Sequence, residues 1–193
     1  MKSFKKFYLN TDTDHTKNDE KWMKLALNEA ELAMKNGEVP IASILVSNNK
    51  ELSRSQTMVR RAKNPTAHGE LFALQKVTDK ILNAERPLII YTTLEPCLMC
   101  LGATMQANID EIVFGMKASP DGGVRYQEDI KKKGQKSPSI RGGVLEAECL
   151  ALMKRIPSEL SDDYVKKIIS YYDDNKINRK EKLINSKTYF LIS

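Results

Sequence analysis

Four side chains have the types and spacing of a metal centre. His68 and Glu70 stand two residues apart in Thr66-Ala67-His68-Gly69-Glu70, and Cys97 and Cys100 stand three apart in Pro96-Cys97-Leu98-Met99-Cys100. Each pair falls where a helix is expected to start. Sulfurs at a helix N-terminus sit at the positive end of the dipole, which favours thiolates, and thiolates with imidazole suit zinc. Three protein ligands leave the fourth tetrahedral position to water, the layout of a catalytic rather than a structural zinc site. The remaining Cys and His are Cys149 and His15. Cys149 is spaced like a core residue in Leu-Glu-Ala-Glu-Cys149-Leu-Ala-Leu-Met, and His15 lies in a polar stretch, so neither is expected as a fourth ligand. Zinc lowers the pKa of bound water. A base must then take the proton and return it to substrate and leaving group, and Glu70 is the candidate. A lone Glu at a helix start is ordinarily a cap; the neighbouring ligands give this one a chemical role.

The elements that must position these groups are legible from periodicity. Trp22, Leu25, Ala26, Glu29, Ala30, Leu32 and Ala33 predict a helix from Glu20, stopped at Asn36-Gly37. Pro40 to Val46 reads as a buried strand, and Asn48-Asn49 as a turn into a second strand near 51–58. A basic loop over 59–65 leads to a helix that opens at Thr66-Ala67-His68 and continues through Val77. Leu88–Thr92 is a third strand, Pro96–Ala107 a helix with proline in its first turn, and Glu111–Gly115 a fourth strand. Residues 117–139 form a long insert, Ile140–Leu145 a fifth strand, and Glu146–Ile156 a helix. Pro157 interrupts, and Tyr164, Val165, Ile168, Ile169 and Tyr172 recur at helical spacing before a Lys-rich end. Strands and helices in this order imply helices packed on a mixed sheet. The expected division is an extension over 1–19, one domain over 20–156, and a partly helical tail over 157–193.

Composition bounds the function classes. The chain has 193 residues, 41% hydrophobic and 29% charged, which suits one globular domain with appendages. Three cysteines, two of them in one C-x-x-C, make no disulfide framework and predict reduced thiols in a cytoplasmic protein. No run approaches about 18 uninterrupted apolar residues, so no membrane span is expected. The N-terminus lacks the apolar stretch of a secretory signal. The net charge of +6 raises the question of nucleic acid, although scattered solvated lysines give the same number.

His68-x-Glu70, followed after 25 residues by Pro96-Cys97-x-x-Cys100, resembles the signature of the cytidine/deoxycytidylate-type zinc-dependent deaminases. Glu38–Val46, Asn64–His68, Thr93–Ala103 and Ile109–Gly115 are similar to the branch holding tRNA adenosine deaminases, guanine deaminases and fungal-type cytosine deaminases, over about residues 20–156. The resemblance implies an α/β, three-layer α-β-α fold with a five-stranded mixed sheet and helices on both faces. It implies a homodimer whose partner helps shape each pocket, Glu70 as proton shuttle, and a Gly69 backbone amide at the substrate ring. Three departures stand out. Gly69 replaces the usual Ala. The base-reading Asn is missing, and Gln56-Thr57 stands near its place with side chains able to hydrogen-bond a substrate. The 117–139 insert and the 157–193 tail have no evident counterpart.

Three functions follow from the signature: deamination of a nucleobase or nucleoside, deamination of adenosine in tRNA, or a catalytically silent zinc-stabilised scaffold. For tRNA, Arg60, Arg61 and Lys63 precede the zinc helix and are placed to meet phosphates near a flipped base, with Lys131, Lys132, Lys133, Lys136 and Arg141 extending the groove. Against it, Pro157 and the acidic Ser158–Asp163 turn replace a basic terminal helix, which favours the small substrate. Retention of Glu70 argues against the scaffold. The insert, with a turn at Pro120–Gly123 and an aromatic ring at Tyr126, is a candidate lid.

Overall fold

The computed structural model describes residues 17–118, 121–132 and 136–174. His15, Lys133 and the Lys-rich end of the chain lie outside the described residues. In chain order the elements are α1 (Lys17–Lys35), β1 (Ala42–Ser47), β2 (Lys50–Gln56), α2 (Gly69–Gln75), α3 (Thr78–Ile81), β3 (Leu88–Leu94), α4 (Leu98–Gln106), β4 (Glu111–Met116), α5 (Gln127–Lys132), β5 (Ser139–Gly142), α6 (Glu146–Lys154) and α7 (163–174). The sheet order is β2-β1-β3-β4-β5. β1 is antiparallel to both β2 and β3, whereas β3–β4 and β4–β5 are parallel.

Strand alternation assigns the two cores. Ile44 and Val46 of β1, Tyr91 of β3 and Val113 of β4 face a cluster with Trp22, Met23 and Ala26 of α1, Met153 of α6, and Val165 and Ile168 of α7. Leu45, Ile90 and Ile112 point the other way, to Leu74 of α2 and Leu101 of α4. Residues with period-two alternation and apolar side chains on both faces need helices on both, and the three-layer α-β-α arrangement follows.

Local chemistry sets the turns. Gly37, at φ +79, ends α1 with Gly37 N–H donating to Met34 O and Glu38 N–H to Ala33 O, both at 3.0 Å, the Schellman pattern. Asn48 and Asn49 both take positive φ, 41° and 61°, as a two-residue hairpin of the type I′ class requires.

Several boundaries differ from expectation. α1 is already helical at Lys17, ahead of the expected Glu20, with Asp19 buried and accepting from the Tyr91 hydroxyl at 3.0 Å and from Arg141 at 2.7 Å. A polar residue neutralised by partners 72 and 122 positions away carries no local helical signal. α2 begins at Gly69, with His68 as its cap, rather than at Thr66. The fifth strand ends at Gly142, not Leu145, since positive φ at Gly143 (92°) and Leu145 (51°) turns the chain into α6. The insert is not irregular throughout: it holds a 3-10 turn at Val124–Tyr126 and then α5. The helical spacing read in the tail corresponds to α7, which buries Val165 and Ile168 in the main core.

Asp19→Ala strips Tyr91 and Arg141 of their shared acceptor. Denaturant unfolding is expected to show a loss of about 1–3 kcal/mol, and an unchanged midpoint would refute the anchoring role of this network.

Candidate active site

The zinc-type ligands stand where strands hand over to helices. His68 caps α2 with extended backbone (φ −83°, ψ 148°), and Cys97 caps α4 in the same way (φ −69°, ψ 170°). α2 lies so close to the end of β2 that a Cβ on Gly69 would come within 3.2 Å of the Ser55 carbonyl oxygen. Gly at this position keeps the helix start seated against the sheet.

His68 Nδ1 lies 3.6 Å from Cys97 Sγ and 3.5 Å from Cys100 Sγ. All three ligand atoms fall within 4.8 Å of one another, and among the described residues no other group of His, Cys or carboxylate ligands gathers this way. A tetrahedral zinc with Zn–N near 2.05 Å and Zn–S near 2.3 Å spaces nitrogen and sulfur by about 3.6 Å, so the donor set fits that ion. Cys149 is excluded: it is buried in the core, where a Cβ on Gly115 would sit 2.3 Å from its sulfur.

The electrostatics point the same way. The Cys97 thiol drops to about 4, chiefly because Cys100 donates to it and secondly because His68 does. Cys100 is pushed up, since it holds the proton the pair shares and is buried besides. His68 is raised, first by its bond to Cys97 and then by the charges of Glu70 and Cys97 and by the Pro65 carbonyl. Three groups that compete for protons at this separation are what a shared cation relieves. Glu70, in the first turn of α2, is only 4% exposed, and burial raises it above the usual carboxylate range.

His68, Glu70 and Cys97 line a cleft of about 240 Å³, with Cys100 buried behind them. Thr57 and Val59 beyond β2, Pro65, Leu94 at the end of β3, and Tyr164 of α7 complete its walls. Tyr164 is half-buried; burial and the nearby Cys97 and Glu70 charges raise its phenol.

Several sequence expectations resolve here. Thr57 is buried in the cleft wall. Gln56 is not: strand alternation turns it to the opposite side, where it bonds Asn36, Glu29 and Arg61. Among the described residues, Arg60, Arg61, Lys136 and Arg141 of the basic side chains read as a groove are engaged within the protein. Arg61 pairs with the buried Glu38 at 3.4 Å and with Gln56 at 3.0 Å. Arg60 donates to the Leu160 carbonyl at 2.9 Å. Arg141 belongs to the Asp19–Glu111 network, and Lys136 lies 3.8 Å from Asp110.

None of the described residues of the insert lines the cleft. Tyr126 is not among the cleft residues, and Arg125 stacks over its ring at 4.8 Å. The start of the insert instead braces the metal loop. Gly123 N–H donates to Pro96 O at 2.7 Å, and the Ala118 and Val124 amides donate to the Glu95 carboxylate at 3.2 Å each. A Cβ on Gly122 would lie 2.1 Å from Glu95 Oε1, so a side chain there would displace the Glu95 carboxylate from these amides. Glu95, Glu38, Asp162 and Tyr164 were not singled out in the sequence. Glu38 and Glu95 sit inside segments that carried the resemblance, while Tyr164 is marked in the sequence only by its helical spacing.

The model of the cytidine and deoxycytidylate deaminase zinc-binding region matches residues 16–116. The tRNA-specific adenosine deaminase 2 of Xenopus laevis is 30% identical over 151 residues, covering 72% of this chain and 86% of that protein. The tRNA-specific adenosine deaminase of Bacillus subtilis is 33% identical, covering 74% and 90%. A structure from work on A-to-I editing by tRNA:A34 deaminases aligns with TM-score 0.60 at 31% identity, over 68% of this chain and 98% of that one. The guanine deaminase of Nitrosomonas europaea, at 17% identity, TM-score 0.58 and coverage of 70% and 82%, shares the fold. With its zinc donors already gathered at two helix starts, the chain belongs to the zinc-dependent cytidine and deoxycytidylate deaminase family, whose members are hydrolases of exocyclic C–N bonds.

Proposed function

We infer that this chain hydrolytically deaminates an adenosine carried in tRNA, with His68, Cys97 and Cys100 holding the zinc ion and Glu70 moving the protons. The chemistry rests on one observation: three ligand atoms converge within 4.8 Å beside a buried carboxyl, at the floor of a cleft. The substrate rests on the relatives, which bear the name tRNA-specific adenosine deaminase and match over 86% and 90% of their own length. A cleft of about 240 Å³ lies just below the usual small-molecule range of roughly 300–1,000 Å³ and suits one base swung out of its strand.

Bound zinc supplies Lewis acidity that brings the pKa of a coordinated water toward neutrality. Glu70 takes a proton from the attacking water and delivers it to the ring nitrogen beside the attacked carbon. The water oxygen bonds to that carbon. Glu70 then carries the second proton to the amino group, the C–N bond breaks, ammonia leaves, and an oxo group remains. Thr57, with a hydroxyl that both donates and accepts, and the Gly69 amide are the candidate contacts to the base.

A free base or nucleoside is the second reading. It is favoured by the internal bonds that occupy Arg60 and Arg61 and by the acidic residue Asp162 in the cleft wall. A homodimer is part of the proposal. Leu98 and Met99, 49% and 37% exposed beside Cys97, are apolar surface that a second copy would cover. A centre with two thiolate ligands needs a reducing compartment, which supports a cytoplasmic setting; among the described residues no helix is long and apolar enough to cross a membrane.

Incubation of the zinc-loaded protein with an anticodon stem-loop, adenosine, guanine and cytosine, read by mass spectrometry, separates the readings. Conversion of adenosine to inosine in the RNA is expected. Conversion of a free base alone would install the second reading. Glu70→Gln should retain zinc and lose turnover by about 10²–10⁴-fold; equal turnover would remove Glu70 from the chemistry. Zinc at a hundredfold its Kd should raise unfolding free energy by about 2.7 kcal/mol over the chelated protein. Cys97→Ser should erase that increment, and identical melting of chelated and zinc-loaded wild type would refute the metal site.

A further inference from the structure

Among the described residues that line the cleft, Arg60 is the one permanent cation, in a lining that also holds Glu38, Glu70, Glu95 and Asp162. Three of these acids are committed elsewhere. Glu38, fully buried, accepts from the Arg60 and Arg61 backbone amides at 3.1 and 2.7 Å and so fixes the loop that carries Arg60. Glu95 accepts from the Ala118 and Val124 amides. Glu70 stands with the zinc ligands. Asp162 differs: its side chain is 52% exposed. One carboxylate oxygen caps α7 by accepting from Val165 N–H at 3.0 Å, and the other stands 3.7 Å from Arg60 Nη2. The same nitrogen donates to the Leu160 carbonyl at 2.9 Å.

Arg60 is thus held at the cleft by one carbonyl and one loosely placed carboxylate. Its planar fork is built for two parallel bonds to one anion, and a carboxylate at 3.7 Å in an exposed pair supplies little. The acidic turn adds exposed Glu159 and Asp163, while exposed Lys63 follows Arg60 and Arg61. Among the described residues, an entering phosphate competes for Arg60 against Asp162 and the Leu160 carbonyl.

We propose that Arg60 is a phosphate-binding residue of this site, masked by the acidic turn 158–163, and that the phosphate next to the base being deaminated displaces Asp162 from it. This rests on the deaminase reading. The chemistry is common to the phosphodiester of an RNA strand and the 5′-phosphate of a mononucleotide.

The test uses the full zinc-loaded chain with anticodon stem-loop RNA, adenosine 5′-monophosphate and adenosine, together with anisotropy of labelled stem-loop. Arg60→Ala should raise KM for the phosphate-bearing substrate roughly tenfold more than for adenosine. It should also lower the salt slope of RNA binding by about one. Asp162→Asn removes the charge while Asn still caps the helix. It should tighten binding of the phosphate-bearing ligand, and Arg60→Ala in that background should cancel the gain. Dependence seen with RNA alone identifies the phosphodiester as the ligand, and dependence with the mononucleotide alone identifies the monophosphate. The proposal fails if Arg60→Ala costs all three substrates equally, or if Asp162→Asn weakens binding as Arg60→Ala does, because the pair then only docks the tail. RNA held through Arg60 without deamination would overturn the adenosine assignment and leave the phosphate site standing. Turnover indifferent to Arg60 would do the reverse.

Discussion

Packing the starts of α2 and α4 side by side brings an imidazole and two thiols within 4.8 Å, a donor set whose competition for protons a shared cation relieves. Much of the surrounding structure serves that convergence. β3 delivers the Cys97 loop, parallel β4 continues beside it, and Gly122 and Gly123 close against Glu95 and Pro96 to fix the loop from outside. On the other side the close approach of Gly69 to Ser55 seats the start of α2 on the sheet. The metal-binding free energy is in this sense part of the folding free energy.

The cleft beside that centre is shaped by segments far apart in the chain. Glu38, just after α1, fixes the loop over 59–65, and Arg60 in that loop reaches Leu160 and Asp162. Val165 and Ile168 anchor α7 in the core, which leaves Tyr164 facing the cleft. The zinc-binding-region match ends at residue 116, so the tail wall lies outside that matched region. In such deaminases pocket shape and contacts to the base, not the metal centre, set which base is taken.

The metal group was legible because its signal is local: two short motifs, each at a helix start, each with its own dipole and spacing. The sheet and its helices were legible for the same reason, through period-two and helical apolar patterns. Asp19 escaped because its partners, Tyr91 and Arg141, are remote in sequence. Gln56 and Thr57 were indistinguishable until strand register placed one in the cleft and the other on the far side. Arg60 and Arg61 look like free cations in a basic loop, and only tertiary contacts with Glu38 and the tail show them engaged.

The account stands on an open zinc centre with three protein ligands. X-ray absorption at the zinc edge of the purified, metal-loaded protein tests that directly. It should return two sulfurs near 2.3 Å and two nitrogen or oxygen atoms near 2.0–2.1 Å, one of the latter exchangeable with solvent or inhibitor. Three or four sulfurs, or a fourth ligand that no inhibitor displaces, would make the site structural and contradict the account.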